Sequence, residues 1–294
     1  MTPSKSPYSG AKMQILTFVN QKGGCGKTTT AINLAGALVA RGERVLVVDL
    51  DPQAHATMGL GVDSSEGATV AEVLMDEAYI EQAIRELASG MHLLPARPRL
   101  AEFEERSERL IHPEQRLRIA LDAVRDRYDY VIVDCPPRAD GVLCANAMFA
   151  CTTAVLVVET GAFALQGVLQ ALKVLQEVGE NQGRSYPIRV VGTLFDRRTR
   201  FARELLVALH TRFGAAMFNT VIRTSVRLRE APALGVTVDV LDPQSRATAD
   251  FASLAAEVCT VLAPEAPASH LHAGAETNIP WTVETSELGS ESHR

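Results

Sequence analysis

The stretch of the chain with the clearest chemical potential is a glycine-rich loop near its start. Residues 20–30 read Asn-Gln-Lys-Gly-Gly-Cys-Gly-Lys-Thr-Thr-Thr and lie between an apolar run and a helix-like run. A tight turn between a buried strand and a helix leaves backbone N–H groups that bind phosphate oxygens with help from the helix dipole. In such a loop the lysine reaches the β- and γ-phosphates, and the hydroxyl that follows it binds Mg²⁺. The residues expected to contact nucleotide or metal are Gly23, Gly24, Cys25, Gly26, Lys27, Thr28 and Thr29.

The loop differs from the usual phosphate-binding pattern at its first position, where Gln21 stands in place of glycine. The next residue is a second lysine, Lys22, which precedes Lys27 by five positions. A lysine at the start of the loop does not easily fold back onto the nucleotide of its own chain. We therefore expect Lys22 to contact a phosphate held by another subunit. The alternative is a turn that needs glycine only for its backbone conformation, and it leaves both lysines unexplained.

Three aspartates follow two apolar, strand-like runs. Asp49 and Asp51 end one run, and their spacing places both side chains on the same side of an extended chain. One of them is expected to support the loop or the Mg²⁺ shell, and the other to orient an attacking water. Asp134 ends another run and is expected to accept a hydrogen bond from Mg²⁺-bound water. The alternative at both places is ordinary turn chemistry.

Strand-like and helix-like runs alternate along the chain, which is typical of a parallel sheet covered by helices on both faces. The predicted strands are Gln14–Val19, Arg44–Val48, His92–Leu94, Tyr130–Val133, Ala154–Val158 and Ile188–Thr193. The predicted helices are Ile32–Ala40, Val70–Leu74, Ile80–Leu87, Leu100–Leu110, Glu114–Asp126, Leu165–Val178, Ala202–Phe213 and Ala247–Leu262. The sequence therefore predicts an α/β fold with a doubly wound, mostly parallel sheet that binds ligands at the carboxyl ends of its strands.

Length and composition favour one large α/β domain. The chain has 294 residues, 47% of them hydrophobic, and a net charge of −6. Its five cysteines form no C-x-x-C pair, which is typical of a reduced cytosolic protein. No signal peptide and no membrane-spanning apolar run is found, so a cytoplasmic protein is expected. We predict a disordered extension over residues 1–12, a folded domain over 13–262 and a disordered acidic tail over 263–294.

Arginine is concentrated in one part of this otherwise acidic chain. Residues 184–229 contain ten arginines and two acidic residues. Aromatic side chains are few there, so contact with a nucleic-acid phosphate backbone is favoured over base stacking. The alternative is a solvated charged face with local ion pairs.

Five segments together resemble the ParA/Soj family of chromosome- and plasmid-partitioning ATPases, which belong to the deviant Walker A (MinD/ParA) group of P-loop NTPases. The segments are Lys22–Thr28, Val48–Gln53, Val133–Pro137, Phe195–Thr199 and Val226–Pro232, and the similarity runs from residue 13 to residue 262. The resemblance implies ATP and Mg²⁺ as cofactors, a homodimer that forms on ATP binding, and nonspecific double-stranded DNA as a partner.

The resemblance also implies roles for individual residues. Lys22 corresponds to the signature lysine that contacts the ATP of the partner subunit, and Asp51 to the residue required for hydrolysis. Asp134 corresponds to the Walker B acid. The expected catalytic residues are therefore Lys22, Lys27 and Asp51, the expected metal-site residues are Thr28, Asp51 and Asp134, and the expected DNA-binding residues are Arg198, Arg200 and Arg227.

The resemblance thus implies an ATPase on the nucleoid that partitions or positions chromosome or plasmid DNA and is released when a ParB-like or other cargo adaptor stimulates hydrolysis. One alternative replaces the DNA cargo with a chemosensory array or a carboxysome. Another is a MinD-like membrane switch, which is disfavoured because residues 278–286 are short, broken by proline and acidic. A P-loop small-molecule kinase on the same scaffold leaves Lys22 and the arginines without a role. A nitrogenase-type reductase needs cysteines that bridge an iron–sulfur cluster across a dimer, and Cys144 and Cys151 lack the expected loop context. A purely structural DNA-coating protein does not require Asp51 and Asp134.

Overall fold

A single eight-stranded sheet organises the part of the chain that the computed structural model describes, namely residues 13–20, 22–137, 141–159, 164–181, 183 and 185–262. The strands are β1 (Gln14–Val19), β2 (Val45–Asp49), β3 (Arg85–Glu86), β4 (His92–Leu94), β5 (Tyr130–Asp134), β6 (Thr153–Glu159), β7 (Ile188–Phe195) and β8 (Met217–Arg223). They are ordered β3-β4-β2-β5-β1-β6-β7-β8, and all neighbours are parallel except β3 and β4. The predicted fold class is confirmed.

Helices connect these strands on both faces of the sheet. They are α1 (Lys27–Ala40), α2 (His55–Gly59), α3 (Val70–Leu74), α4 (Ile80–Ala83), α5 (Leu100–Arg106), α6 (Arg116–Ala123), α7 (Val142–Ala150), α8 (Ala164–Asn181), α9 (Arg200–Phe213), α10 (Arg227–Ala233), α11 (Val238–Leu241) and α12 (Arg246–Val261). Hydroxyl side chains start three of them, because Thr69, Thr199 and Ser245 each accept a hydrogen bond from an N–H group of the first turn. None of the helices among the described residues is long and apolar enough to cross a membrane.

The central strands are buried on both faces. Ile15 and Val19 of β1 belong to one hydrophobic cluster, and Leu16 and Phe18 belong to the other, on the side of α1 and α12. Strands that are covered on both sides have no solvent-facing positions to fill with polar residues. This burial explains the continuous apolar runs that identified the strands in the sequence.

Several elements were predicted wrongly, and others were missed. The predicted helix Ile80–Leu87 ends at Ala83, because Ile84 is extended and the next two residues form β3 against β4. Strand β8 was not predicted, since Asn219 and Thr220 interrupt its apolar pattern; Glu257 of α12 accepts hydrogen bonds from the backbone N–H groups of both, at 2.7 and 3.0 Å. The predicted helices Leu100–Leu110 and Glu114–Asp126 are shorter than expected and are continued by 3₁₀ turns.

The strand order brings the carboxyl ends of β2, β5, β1, β6 and β7 side by side. Strand β1 lies in the middle of this row, so the loop that follows it has strand ends on both sides. The segments predicted to be disordered, 1–12 and 263–294, lie outside the described residues.

Candidate functional site

The glycine-rich loop turns from β1 into α1 through two residues with left-handed backbone. Gly24 has φ +76° and Gly26 has φ +89°, a region that only glycine adopts without strain. Helix α1 begins at Lys27, and its N-cap residue, Gly26, provides no side-chain cap for the first N–H groups. The loop therefore has the backbone of a phosphate-binding site at a helix N-terminus.

The two lysines of the loop have different surroundings. Lys27 is buried, and its Nζ lies 3.4 Å from the carbonyl oxygen of Lys22, across the loop. The side chain of Lys22 is 51% exposed and forms an ion pair with Glu159 at the end of β6. Lys27 thus lies within the loop of its own chain, whereas Lys22 lies at the molecular surface.

Thr28 and Asp134 are joined directly. The Thr28 hydroxyl donates a hydrogen bond to Asp134 Oδ2 at 2.7 Å, and Asp134 Oδ1 is buried without a hydrogen-bond partner among the described residues. Burial raises the pKa of Asp134 to about 8, and the negative charge of neighbouring Asp49 contributes to the rise. A buried carboxylate with an unused oxygen is costly unless a cation or a water molecule is bound there.

The two aspartates that follow β2 differ in what they contact. Asp49 is fully buried and accepts hydrogen bonds from the backbone N–H and the hydroxyl of Thr57, at 2.8 and 2.7 Å, and from the Asp51 N–H at 3.1 Å. Asp49 therefore stabilises the loop after β2. Asp51 accepts one backbone hydrogen bond, from Gln53 at 2.9 Å, and retains slight exposure.

The donor set fits Mg²⁺ bound together with a nucleotide. Among the described residues, no group of three or more His, Cys, Asp or Glu side chains could hold a metal alone. Mg²⁺ is usually bound through one or two protein oxygens, substrate phosphates and several waters. Thr28 and Asp134, beside a phosphate-binding backbone, supply this kind of site.

Comparison with known proteins agrees with this geometry. A family model described as an AAA domain matches residues 13–187. The sporulation initiation inhibitor protein Soj of Bacillus subtilis is 37% identical over 248 residues, which cover 83% of this chain and 98% of that protein. The chromosome-partitioning ATPase Soj of Thermus thermophilus is 40% identical over 252 residues, which cover 84% of this chain and 96% of that protein. The chain belongs to the ParA/Soj family.

The ParA/Soj chain is therefore an ATPase. A solved structure with a similar fold supports nucleotide and Mg²⁺ as its cofactors. The cobyrinic acid a,c-diamide synthase of Mycobacterium smegmatis, with bound ATP analogue and magnesium, has a TM-score of 0.74 and 30% identity, and covers 83% of this chain and 93% of its own.

The predicted DNA-binding arginines of the ParA/Soj chain follow two neighbouring strands, at the edge of the sheet where the carboxyl ends of the strands and the glycine-rich loop lie. Phe195 at the end of β7 is in register with Arg223 at the end of β8, and the two arginine groups come directly after these residues. Each predicted arginine is at least half exposed and has an acidic neighbour. The pairs are Arg198 with Asp196, Arg200 with Glu204, and Arg227 with both Glu230 and Asp242. The local ion pairs expected from the alternative interpretation are therefore present.

Four residues that shape the site were given no role from the sequence. Asn20 connects the loop to β6, Thr193 of β7 donates a hydrogen bond to the Cys25 carbonyl at 2.7 Å, Glu159 binds Lys22, and Thr57 holds Asp49. Three of these contacts join residues more than 130 positions apart, so the local sequence pattern carries no signal for them.

Proposed function

We propose that this ParA/Soj ATPase forms a homodimer when it binds ATP, and that the dimer binds double-stranded DNA without sequence preference. The observation that carries the proposal is that the two lysines of the loop differ in exposure. The burial of Lys27 suits contact with the nucleotide of its own chain. The exposure of Lys22 suits contact with a phosphate of a second subunit, because a charged amine at the surface can be reached from another chain.

The proposed hydrolytic roles follow from charge and position. Thr28 and Asp134 would hold Mg²⁺, which would supply positive charge beside the phosphate oxygens. Lys27 stabilises the same charge from within the loop, and Asp51 orients the attacking water. Because Lys22 contacts the γ-phosphate across the interface, loss of that phosphate weakens the dimer.

DNA binding is coupled to the dimer through the number of phosphate contacts. One chain contributes Arg198, Arg200 and Arg227, which must exchange their acidic neighbours for DNA phosphates. Ion pairs at the exposed surface contribute little to stability, so this exchange is feasible. Two chains held together bind DNA far more tightly than one, because the second set of contacts forms intramolecularly.

The cargo and location of the protein follow as parts of the same proposal. We propose chromosome or plasmid DNA as the cargo, and relatives named as chromosome-partitioning proteins support the chromosome. We propose a ParB-like adaptor that stimulates hydrolysis and releases the protein from the nucleoid. We also propose that residues 13–262 form the ATPase domain.

Light scattering of the full chain with saturating Mg-ATP tests the dimer. In an Asp51→Ala background, in which hydrolysis is blocked, we expect a dimer with ATP and a monomer with ADP. The additional change Lys22→Ala should abolish the dimer, whereas the control Lys173→Ala, at an exposed lysine of α8, should not. A chain that remains monomeric in the Asp51→Ala background, or a dimer that is unaffected by Lys22→Ala, refutes the proposal.

DNA binding with ATP, ADP and no nucleotide, at two salt concentrations, tests the second half of the proposal. We expect tight binding only with ATP. Arg227→Ala removes one phosphate contact per chain, so the slope of log affinity against log salt should fall by roughly 2 for the dimer. Arg106→Ala, at a similarly exposed and ion-paired arginine of α5, should leave the slope unchanged. Equal slopes for all three proteins would contradict the assignment.

A further inference from the structure

We propose that Glu159 is a positioning residue for Lys22, which holds this lysine on its own chain and thereby sets how readily the ATP-bound dimer forms. The inference rests on the proposed role of Lys22 at the dimer interface. It adds a competing site for the same amine within each monomer.

The structure ties Lys22 to β6 at two points. Its side-chain Nζ forms the ion pair with Glu159, the last residue of β6. Its backbone N–H donates to Asn20 Oδ1 at 2.9 Å, and Asn20 Nδ2 in turn donates to the Val157 carbonyl of the same strand at 2.6 Å. Backbone and side chain of Lys22 are therefore directed to one strand end.

The ion pair with Glu159 holds Lys22 Nζ against the end of β6 in its own chain. We expect contact with a phosphate of a second subunit to draw Nζ away from this strand end, which breaks the ion pair in both chains. Because the two side chains are 51% and 29% exposed, the pair is partly solvated and of the kind that contributes modestly. Loss of the ion pair in one chain should raise the dimerisation constant by about 1.4- to 5-fold, and its loss in both chains should raise the constant by about 2- to 25-fold.

The carboxylate of Glu159 also acts on the loop through its charge. Burial raises the pKa of the Cys25 thiol, and the negative charge of Glu159 adds to this effect. Removing the charge can therefore strengthen binding of any nucleotide, including one that does not support a dimer. ADP separates the two effects, because it binds the loop without a γ-phosphate for Lys22.

The experiment measures the dimerisation constant of full-length Asp51→Ala protein at saturating Mg-ATP by sedimentation equilibrium, and the affinity of the monomer for ADP by titration. With Glu159→Gln we expect a dimerisation constant about 2- to 25-fold higher and an ADP affinity changed by less than about 2-fold. Glu159→Asp keeps a carboxylate near Lys22 and should return the constant towards the parent value. The control Glu204→Gln removes a carboxylate paired with Arg200 on α9 and should change neither quantity.

Each other result has a definite meaning. An unchanged dimerisation constant for Glu159→Gln, with Lys22→Ala still monomeric, overturns the inference and leaves the proposed function standing. A dimer that survives Lys22→Ala overturns the proposed function itself. An ADP affinity that rises by the same factor as dimerisation shows that Glu159 acts through loop charge, which also overturns the inference. Should Glu159→Gln fold poorly by circular dichroism, Glu159→Ala is measured in its place with the same expected results.

Discussion

Replacing Thr193 with valine is expected to weaken nucleotide binding by loosening the phosphate loop. Thr193 is buried in β7, and its hydroxyl donates a hydrogen bond to the Cys25 carbonyl at 2.7 Å. The same side chain packs against Gly26, where an added Cβ would lie 3.7 Å from the Cβ of Thr193. Valine keeps this shape but has no hydroxyl, so the change removes a donor without leaving a cavity.

The size of the effect follows from the energy of one buried hydrogen bond. Leaving a buried carbonyl without its partner costs about 1–3 kcal/mol. For a chain of this size, each kcal/mol lowers the melting temperature by about 2–4 °C, so we expect a decrease of about 2–12 °C. The peptide between Cys25 and Gly26 also loses its fixed orientation. If about half of the cost falls on the nucleotide complex, the affinity for ADP decreases by roughly 2- to 12-fold.

Thermal unfolding and ADP titration of the Thr193→Val and Thr193→Ser proteins measure both quantities. Serine keeps the hydroxyl and should retain most of the parent's affinity for ADP. A valine variant that binds ADP as tightly as the parent refutes the reasoning. So does a serine variant that binds as weakly as the valine variant, since the hydroxyl would then have no part in the effect.

Three further changes test other parts of the structure. Burial raises the pKa of Glu72, but hydrogen bonds from Thr69 and two arginines outweigh it and lower the value to about 2. The charged form of Glu72 therefore stabilises the fold fully above pH 4.5, and this contribution is lost as the pH falls through about 2. Glu72→Gln should lower the free energy of unfolding, measured with urea, by up to about 3 kcal/mol at pH 7. A difference between the two proteins that is as large at pH 3 as at pH 7 would contradict this. Asp134→Asn should abolish the difference in ATP affinity between Mg²⁺ and EDTA, measured by titration, while the parent retains it. Thr57→Val removes a hydrogen bond to the buried carboxylate of Asp49 and should lower the free energy of unfolding by about 1.5–3 kcal/mol in urea, with Thr57→Ser as the control that keeps the hydroxyl.

The sequence was sufficient for the parts of the site that are contiguous in the chain. The loop from Lys22 to Thr28 and the aspartates at strand ends are short motifs, and the continuous apolar runs predicted six of the eight strands. These features depend on local backbone geometry and burial, which the sequence pattern reports directly.

The sequence was not sufficient for the contacts between distant segments. That Glu159 meets Lys22, and that Thr193 meets Cys25, depends on β6 and β7 lying next to β1 in the sheet. Strand order is set by packing of the whole chain, and a single sequence reports it only through fold resemblance. Strand β8 was missed for a similar reason, because Glu257 of α12 satisfies its polar stretch from outside the sheet.

Both edges of the sheet are poor templates for pairing with another chain. Strand β3 has only two residues, and β8 is irregular in its pairing with β7 and has two backbone N–H groups bound to Glu257. Open sheet edges promote strand addition and aggregation, and proteins prevent it by short, irregular or covered edge strands. For a protein proposed to bind DNA without sequence preference, this protection allows copies bound at neighbouring positions on the DNA to remain folded without joining their sheets.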